Sequence, residues 1–335
     1  MQFRQNRLIF AGSCGTMKLY AERKEEKAMR IIDNLKEGLP VFDALSNEIR
    51  IKILELLLER HQMNMNEIAE ALHMPKSTLT PHIKKLVQAE LIGISLNSEK
   101  RGTQKICRLF EDKIIVNIIP QLTEQKIYET ELDAGQYSDC SIAPTCGLAS
   151  REKVIGNGFD DPRFFHLPER FSASIIWFSK GYVEYTFANM LSPDDKPTEM
   201  QIFLEMCSEA PGVLSYFPSD IHFTLNGLPL GYWTSPGECF DRKGRYTPSW
   251  WFSNFPQYGI MKVITINETG TYLDGLFLSS VTIDRLELMQ KGAITLRIEV
   301  PEDAKNVGGL TLFGINFGDY DSGIRIRTIC NKKKA

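Results

Sequence analysis

Basic and hydroxyl side chains between residues 76 and 108 are the strongest candidates for chemistry in this chain. Lysines and arginines greatly outnumber Glu90 and Glu99 in this stretch; they are Lys76, Lys84, Lys85, Lys100, Arg101, Lys105 and Arg108. The 335-residue chain as a whole carries a net charge of −3, so the positive charge is local. A basic segment in a mildly acidic chain predicts contact with a polyanion, although a solvated helix face would have the same charge pattern.

The elements that must position these side chains begin with helices. Residues 39–60 have apolar side chains at three- and four-residue steps, which is typical of amphipathic helices. Ser46 is a good cap for the second of these helices. Asn64, with Glu67 three residues later, predicts a capping box at the start of a short helix that His73-Met74-Pro75 ends.

The basic residues themselves fall on the next helix and on a hairpin. Lys76 to Glu90 predicts a helix with a buried apolar stripe made of Leu79, Ile83 and Leu86. The segments 91–95 and 105–110 frame a polar turn and predict a β-hairpin. Helix, tight turn, helix and basic hairpin, in that order, are the layout of a winged helix-turn-helix domain.

Residues 38–118 closely resemble the ArsR-like family of bacterial transcriptional regulators. The resemblance rests on ALSNEIRIKILELL, MNEIAEALHMPKSTLTPHIKKLVQAELI and the hairpin turn SEKRGTQ. It implies a recognition helix in the major groove of double-stranded operator DNA, with a basic wing beside it.

The resemblance also implies roles for individual residues. The N-terminal half of the recognition helix would meet bases or the adjacent backbone through Lys76, Ser77, Thr78, Thr80 and Pro81. Lys84 and Lys85 would meet phosphates, as would Lys100 and Arg101 on the wing. Alternatively, Ser77 and Thr78 cap the helix and the lysines only solubilise it. Pro81 departs from the family pattern, since it removes one helical hydrogen bond and could kink the helix.

The C-terminal half reads as strands. The segment AITLRIEV alternates apolar and polar residues, as half-buried antiparallel strands do. Asn226-Gly227 predicts a type I′ hairpin, and Lys180-Gly181 predicts another turn. About eight to ten such strands fit an antiparallel β-sandwich of jelly-roll kind. This half also resembles the C-terminal region of bacterial predicted regulators that join an ArsR-like head to a β-domain, through WFSKGYVEYTF, EMCSEAPG and QYGIMKV.

The sequence therefore predicts an α+β chain of two domains. An N-terminal extension occupies residues 1–38, the winged helix-turn-helix domain 39–118, a linker 119–169 and the β-sandwich 170–330. A looser likeness, by strand layout and the Asn226-Gly227 hairpin alone, connects the sandwich to carbohydrate-binding jelly rolls.

Residues 231–251 hold three of the four tryptophans in a loop broken by glycine and proline. One hypothesis is a structural plug at the end of the sandwich or at the seam between domains. The other is a ligand pocket in which rings stack on a sugar and polar side chains bind its hydroxyls. The residues that would form this pocket are Trp233, Asp241, Arg242, Arg245, Trp250 and Trp251.

Catalytic and metal sites are not indicated. Ser219, Asp220 and His222 are close in sequence but lack a nucleophile elbow, so we predict no catalytic residue and no enzyme. Cys140 and Cys146 are six residues apart, unlike the two to four of a zinc knuckle, and the helix before the recognition helix has no Cys or His. We interpret these cysteines as small buried hydrophobes and predict no metal and no cofactor.

The predicted location is the cytoplasm. The chain has no apolar run of 18 residues and no convincing signal peptide, and its seven cysteines are irregularly spaced. We predict a DNA-binding transcriptional regulator, a homodimer on a palindromic operator, whose β-domain senses a small molecule such as a carbohydrate or mediates assembly. The alternative is a carbohydrate-binding or carbohydrate-processing protein whose helical head is an interaction module.

Overall fold

The computed structural model describes residues 29–32, 34–97, 104–110, 113–116, 118, 125–209 and 214–332. The predicted wing residues Lys100 and Arg101 lie outside these ranges, as does most of the predicted N-terminal extension. In the described part, no helix is long and apolar enough to cross a membrane.

The N-terminal half folds as a winged helix-turn-helix domain. Its elements, in chain order, are β1 (Met29–Ile32), α1 (Leu35–Leu45), α2 (Glu48–Arg60), β2 (Gln62–Asn64), α3 (Met65–Ala71), α4 (Lys76–Gln88), β3 (Ile92–Asn97), β4 (Gln104–Leu109) and β5 (Lys113–Val116). The strands β2, β4 and β3 form an antiparallel sheet in that order, so the predicted hairpin is confirmed. The predicted stripe of Leu79, Ile83 and Leu86 is buried in the core of this domain.

Asparagines set where the helices begin. Asn47 caps α2 through its side-chain oxygen, which accepts from the backbone N–H groups of Ile49 and Arg50. The prediction that Ser46 caps this helix is therefore wrong by one residue, because Ser46 instead ends α1. Asn64 and Glu67 form the predicted capping box on α3, in which each side chain accepts from the backbone N–H of the other residue.

Replacing Asn64 by alanine should lower the free energy of unfolding by about 1 kcal/mol, because two N–H groups at the start of α3 lose their acceptor. Asn66→Ala is the matched control, since Asn66 is exposed and accepts no capping bond. Urea denaturation of both variants checks this. Equal stability of the two variants would contradict the capping role.

The C-terminal half is an antiparallel β-domain. Its strands are β6 (Gln125–Leu132), β7 (Asp139–Ala149), β8 (Ile175–Ala188), β9 (Asp195–Cys207), β10 (Ser219–Leu225), β11 (Leu228–Ser235), β12 (Ile260–Asn267), β13 (Thr271–Leu273), β14 (Leu276–Ser279), β15 (Ala293–Val300), β16 (Leu310–Phe313) and β17 (Ile324–Lys332). The predicted two-domain α+β layout is thereby confirmed.

Two layers of strands share one core. The first has the order β11-β10-β15-β8-β7, and the second β6-β17-β9-β12-β13-β14. The short strand β16 pairs with both β8 and β9 and so joins the layers. Residues from both layers, such as Tyr185 and Phe223 of the first and Ile202 and Ile264 of the second, lie in the same buried cluster.

The structure differs from the sequence-based division of the chain in two places. In the segment expected to be a linker, β6 pairs with β17 and β7 pairs with β8, so both belong to the β-domain. In the segment expected to be an N-terminal extension, β1 pairs in parallel with β5. Both strands of the linker segment pair with later strands of the chain. The local sequence pattern therefore does not reveal that they are strands.

The two predicted hairpin turns have different outcomes. Asn226 and Gly227 have φ of 51° and 81° and connect β10 to β11, which confirms the Asn-Gly turn. The turn at Lys180-Gly181 is wrong, because β8 continues through it. Gly181 instead has φ of 111°, and a Cβ there would lie 1.9 Å from the carbonyl oxygen of Ser141, so this glycine lets β7 approach closely.

Candidate nucleic-acid interface

The contact residues that were predicted on the recognition helix α4 are all exposed to solvent. Its apolar stripe is buried against α1, α2 and α3, which fixes the direction of the opposite face. That opposite face is exposed and consists of Lys76, Ser77, Thr78, Thr80, Pro81, Lys84 and Lys85. The structure therefore brings the predicted helix residues together on one accessible surface.

The N-terminus of α4 is open. Pro75 precedes the first helical residue and provides no side-chain cap, and the first turn has no acidic residue. Ser77 and Thr78 lie inside the helix, so the alternative in which they cap it is wrong. Within the described ranges, their hydroxyl groups have no hydrogen-bond partner. Free backbone N–H groups and the positive end of the helix dipole suit an anion such as a phosphate.

Thr80 and Pro81 adapt to the helix without interrupting it. The Thr80 hydroxyl donates to the backbone oxygen of Lys76 at 2.7 Å and keeps its lone pairs for another donor. Pro81 stands within α4, which continues from Lys76 to Gln88. The lost helical bond is therefore tolerated in the second turn of the helix.

The two phosphate candidates differ in their surroundings. Lys85 donates to the Asp43 carboxylate of α1 at 2.9 Å, and this pair holds the pKa of Asp43 below its ordinary value. Lys84 is exposed and has no ion pair in the described part of the chain. Lys84 is thus ready to contact a phosphate, whereas Lys85 must first leave Asp43.

A buried arginine of α2 that we did not predict binds the end of α1. Arg50 is only 6% exposed, and its guanidinium donates to the backbone oxygens of Ala44 and Asp43, both at 2.6 Å. It thereby binds two of the last carbonyls of α1 and connects the end of α1 to α2. A charged residue inside the apolar pattern Ile49, Ile51 and Ile53 was the available signal.

The aromatic loop of residues 231–251 packs mainly inside the β-domain. Trp251 is buried against Trp177 at 5.7 Å and Phe317 at 5.0 Å between ring centroids. Trp250 stacks edge-on with Trp251 at 5.6 Å, and its indole N–H donates to the backbone oxygen of Arg151. Rings in such contacts fill a core and are not free to stack on a ligand.

The polar residues of this loop also have internal partners. Arg242 forms a two-pronged ion pair with Asp319, and its guanidinium lies 3.8 Å from the ring centroid of Tyr258. Asp241 accepts from the Tyr258 hydroxyl, and the backbone N–H of Arg245 donates to Asp319 at 3.0 Å. Asp319 in turn lies beside Glu205, whose buried carboxylate accepts from three backbone N–H groups.

Trp233 is separate from the rest of the predicted pocket. It lies on β11 against the main core, 4.5 Å below the Lys262 ammonium, and has no ring contact with Trp250 or Trp251 in the described structure. The six residues therefore do not line one cavity. Their contacts favour the plug hypothesis, and binding of a ligand there stays a prediction.

The residues considered for other chemistry are bound to neighbours. Cys140 and Cys146 both lie on β7, and burial raises their pKa values to about 11 and about 12. Asp220 accepts from Thr234 and Asn306, while the His222 ring stacks on Tyr232. Among the described residues, no group of three or more His, Cys, Asp or Glu could hold a metal ion.

Glu209 makes the stability of the β-domain depend on pH. It accepts from the Thr311 hydroxyl at 2.7 Å, and burial raises its pKa from 4.5 to about 8. The folded state therefore holds the Glu209 proton more tightly than the unfolded chain does. Its contribution to stability is complete below pH 4.5 and is lost as the pH rises toward 8.

Glu209→Gln should remove this pH dependence, because the amide stays neutral. Between pH 5 and pH 8 the variant should gain about 3.5 kcal/mol in unfolding free energy relative to the wild type, since each pH unit is worth about 1.4 kcal/mol in the middle of this interval and less near either pKa. Urea denaturation at several pH values measures it, with exposed Glu152→Gln as the control. Parallel pH profiles for the wild type and Glu209→Gln would contradict a raised pKa.

Comparison with known proteins finds a family and a relative for the first third of the chain. Residues 47–93 match the family model described as bacterial regulatory protein, arsR family. An uncharacterized HTH-type transcriptional regulator of Methanocaldococcus jannaschii is 33% identical over 100 residues, which are 29% of this chain and 100% of that protein.

Two solved structures are similar to separate parts of the chain. A fragment of a possible transcriptional regulatory protein from Mycobacterium bovis is 26% identical, with a TM-score of 0.20, over 23% of this chain and 76% of that one. A CBM36 domain of a xylanase from the hindgut metagenome of Trinervitermes trinervoides is 11% identical, with a TM-score of 0.23, over 61% and 96%. Such scores do not decide what the β-domain binds. The family match, the full-length coverage of the regulator and the exposed α4 agree, and through its winged helix-turn-helix domain the chain belongs to the ArsR family of DNA-binding transcriptional regulators.

Proposed function

We propose that this regulator binds a palindromic operator in the cytoplasm as a homodimer, with α4 in the major groove and the wing beside it. The observation that carries the proposal is the exposed face of α4, where hydroxyl groups and lysines surround an uncapped helix N-terminus. The β-domain then senses a small molecule or mediates assembly.

The exposed face of α4 would make two kinds of contact with DNA, one to phosphates and one to base edges. Lys84 and the open N-terminus would bind phosphates, which fixes the register of the helix and makes affinity depend on salt. Ser77 and Thr78, whose hydroxyl groups have no internal partner in the described structure, can donate to or accept from base edges. Thr80 can contribute as an acceptor. Sequence preference should therefore reside in the first turn of α4.

Exposed apolar residues on α1 support the dimer. Leu35 and Leu39 are 41% and 61% exposed, and they lie four residues apart on one face of the helix. A second copy that covers them would remove apolar surface from water. A dimer would also offer two recognition helices to two half-sites about 34 Å apart, which a single small head cannot do.

Selection of bound fragments from random double-stranded DNA tests the proposal. We expect an inverted repeat with half-sites about one helical turn apart, and a complex whose mass corresponds to two chains. Binding should weaken steeply with salt. Recovery of random sequences, or binding that does not change with salt, would contradict it.

Ser77→Ala and Thr78→Ala sharpen this test. Each should relax the preference at one position per half-site and leave the salt dependence unchanged, because a hydroxyl contact to a base involves no counterion. Ser322→Ala, which alters a hydroxyl of the β-domain, is the matched control.

A further inference from the structure

The parallel ribbon of β1 and β5 lies between the core of the winged helix-turn-helix domain and a separate small apolar cluster of the β-domain, and its residues alternate between them. On one face, Ile32 and Ile114 pack into the core of the winged helix-turn-helix domain. On the other face, Ile31 and Ile115 pack against apolar residues of β9 and β12, namely Phe203, Met261 and Val263. The alternation follows from the two-residue repeat of a strand.

The same ribbon also holds the C-terminal end of the recognition helix. The guanidinium of Arg30 donates to the backbone oxygen of Ala89 at 2.9 Å, and Ala89 is the C-cap residue directly after α4. The last carbonyls of a helix have no helical donor, and a cation there is favourable. Arg30 thus contacts the end of the recognition helix, and the next residue of the same strand, Ile31, contacts the β-domain.

The end of α2 also lies near charged residues of the β-domain. His61 follows this helix, and its pKa is lowered by burial and then by Arg242 of the aromatic loop. Arg245 lowers the pKa further, while Asp319 and Asp241 act in the opposite direction. His61 therefore lies close to the charges of the aromatic loop, while the packed contact between the domains is the one that the ribbon makes.

We propose that the β1–β5 ribbon transmits the state of the β-domain to the recognition helix. A shift of the face formed by β9 and β12 moves Ile31 and Ile115, the movement passes to Arg30, and the end of α4 changes position. Because packed interiors yield little to compression, such a shift is passed on and not absorbed. This inference rests on the proposed function, since operator affinity is what the ribbon would regulate.

Val263→Ala tests the inference, with Val281→Ala as the matched control. The two valines are 5% and 6% exposed and both lie in the β-domain, but only Val263 packs beneath the ribbon. Hydrogen exchange at the amides of Ala89 and Leu91 reports on the end of α4 without any DNA. We expect exchange there to become about five-fold faster in Val263→Ala and to stay unchanged in Val281→Ala, in line with ordinary coupling between sites.

Operator affinity gives the second measurement. It should fall about five-fold in Val263→Ala, and this loss should shrink to the level of the control in a chain that also carries Arg30→Met, where the connection to α4 is cut. Ile115→Val is the milder variant if Val263→Ala does not fold.

The outcomes separate the two proposals. Equal effects of Val263→Ala and Val281→Ala on the exchange of α4 and on affinity would overturn the transmission, while wild-type DNA binding would stand. A wild-type chain that binds no DNA would overturn the proposed function instead.

Discussion

Operator affinity should fall about 50-fold per half-site at 0.1 M salt, and so on the order of 1,000-fold for the dimer, when Lys76 and Lys84 are both replaced by alanine. Each lysine that contacts a phosphate releases about 0.9 of a counterion, which corresponds to a factor of about eight at this salt concentration. The slope of log affinity against log salt should become shallower by about two for each helix in the groove. Titrations of labelled operator between about 0.05 and 0.3 M salt measure both effects.

The control must carry the same change in charge. Lys52 of α2 and Lys305 of the β-domain are exposed and lie on other surfaces, so Lys52→Ala with Lys305→Ala tests the loss of general attraction. We expect at most a small loss and an unchanged slope. Equal slopes for the two double variants would mean that α4 does not contact phosphates. Lys85→Ala should have a smaller effect than Lys84→Ala, because Lys85 exchanges one anionic partner, Asp43, for another.

Asp319→Ala should have the second large effect, a loss of about 3 kcal/mol in the free energy of unfolding. Asp319 is 6% exposed and accepts from the guanidinium of Arg242 and from the backbone N–H of Arg245. Without it the partly buried Arg242 charge loses its two-pronged partner and keeps only the weaker attraction of Asp241, and removal of one partner of a buried pair typically costs several kcal/mol. The Arg242 side chain is 30% exposed, which reduces the expected loss.

Glu268→Ala is the control for this variant. Glu268 lies 3.8 Å from Lys196, and both side chains are about 60% exposed, so the loss of this pair should cost less than 0.5 kcal/mol. Urea denaturation, followed by the fluorescence of the nearby tryptophans, measures both. A similar cost for the two variants would mean that Arg242 and Asp319 do not fix the aromatic loop.

Local sequence rules were sufficient for the helix-turn-helix. The capping box at Asn64 and the break after Ala71 involve residues close together in the chain, and the spacing of Leu79 and Ile83 fixes which face of α4 is buried. The exposed contact residues follow from that face. Their roles toward DNA stay predictions until binding is measured.

The same rules could not find features that depend on distant partners. The strand β6 reads as a polar segment, and only its pairing with β17, about 200 residues later, makes it a strand of the core layer. Arg30 and Asp319 look like surface charges until Ala89 and Arg242 are placed beside them. The aromatic loop had two open interpretations because sequence shows which rings it contains but not which rings touch.

Hydrogen exchange of the whole chain, with and without the selected operator, tests most directly whether α4 reads DNA. We expect the amides of residues 76–80 to be protected on binding, while those on the exposed side of α2 and in residues 231–251 exchange as before. Protection confined to residues 231–251, with α4 unchanged, would contradict the account and place the binding surface on the β-domain.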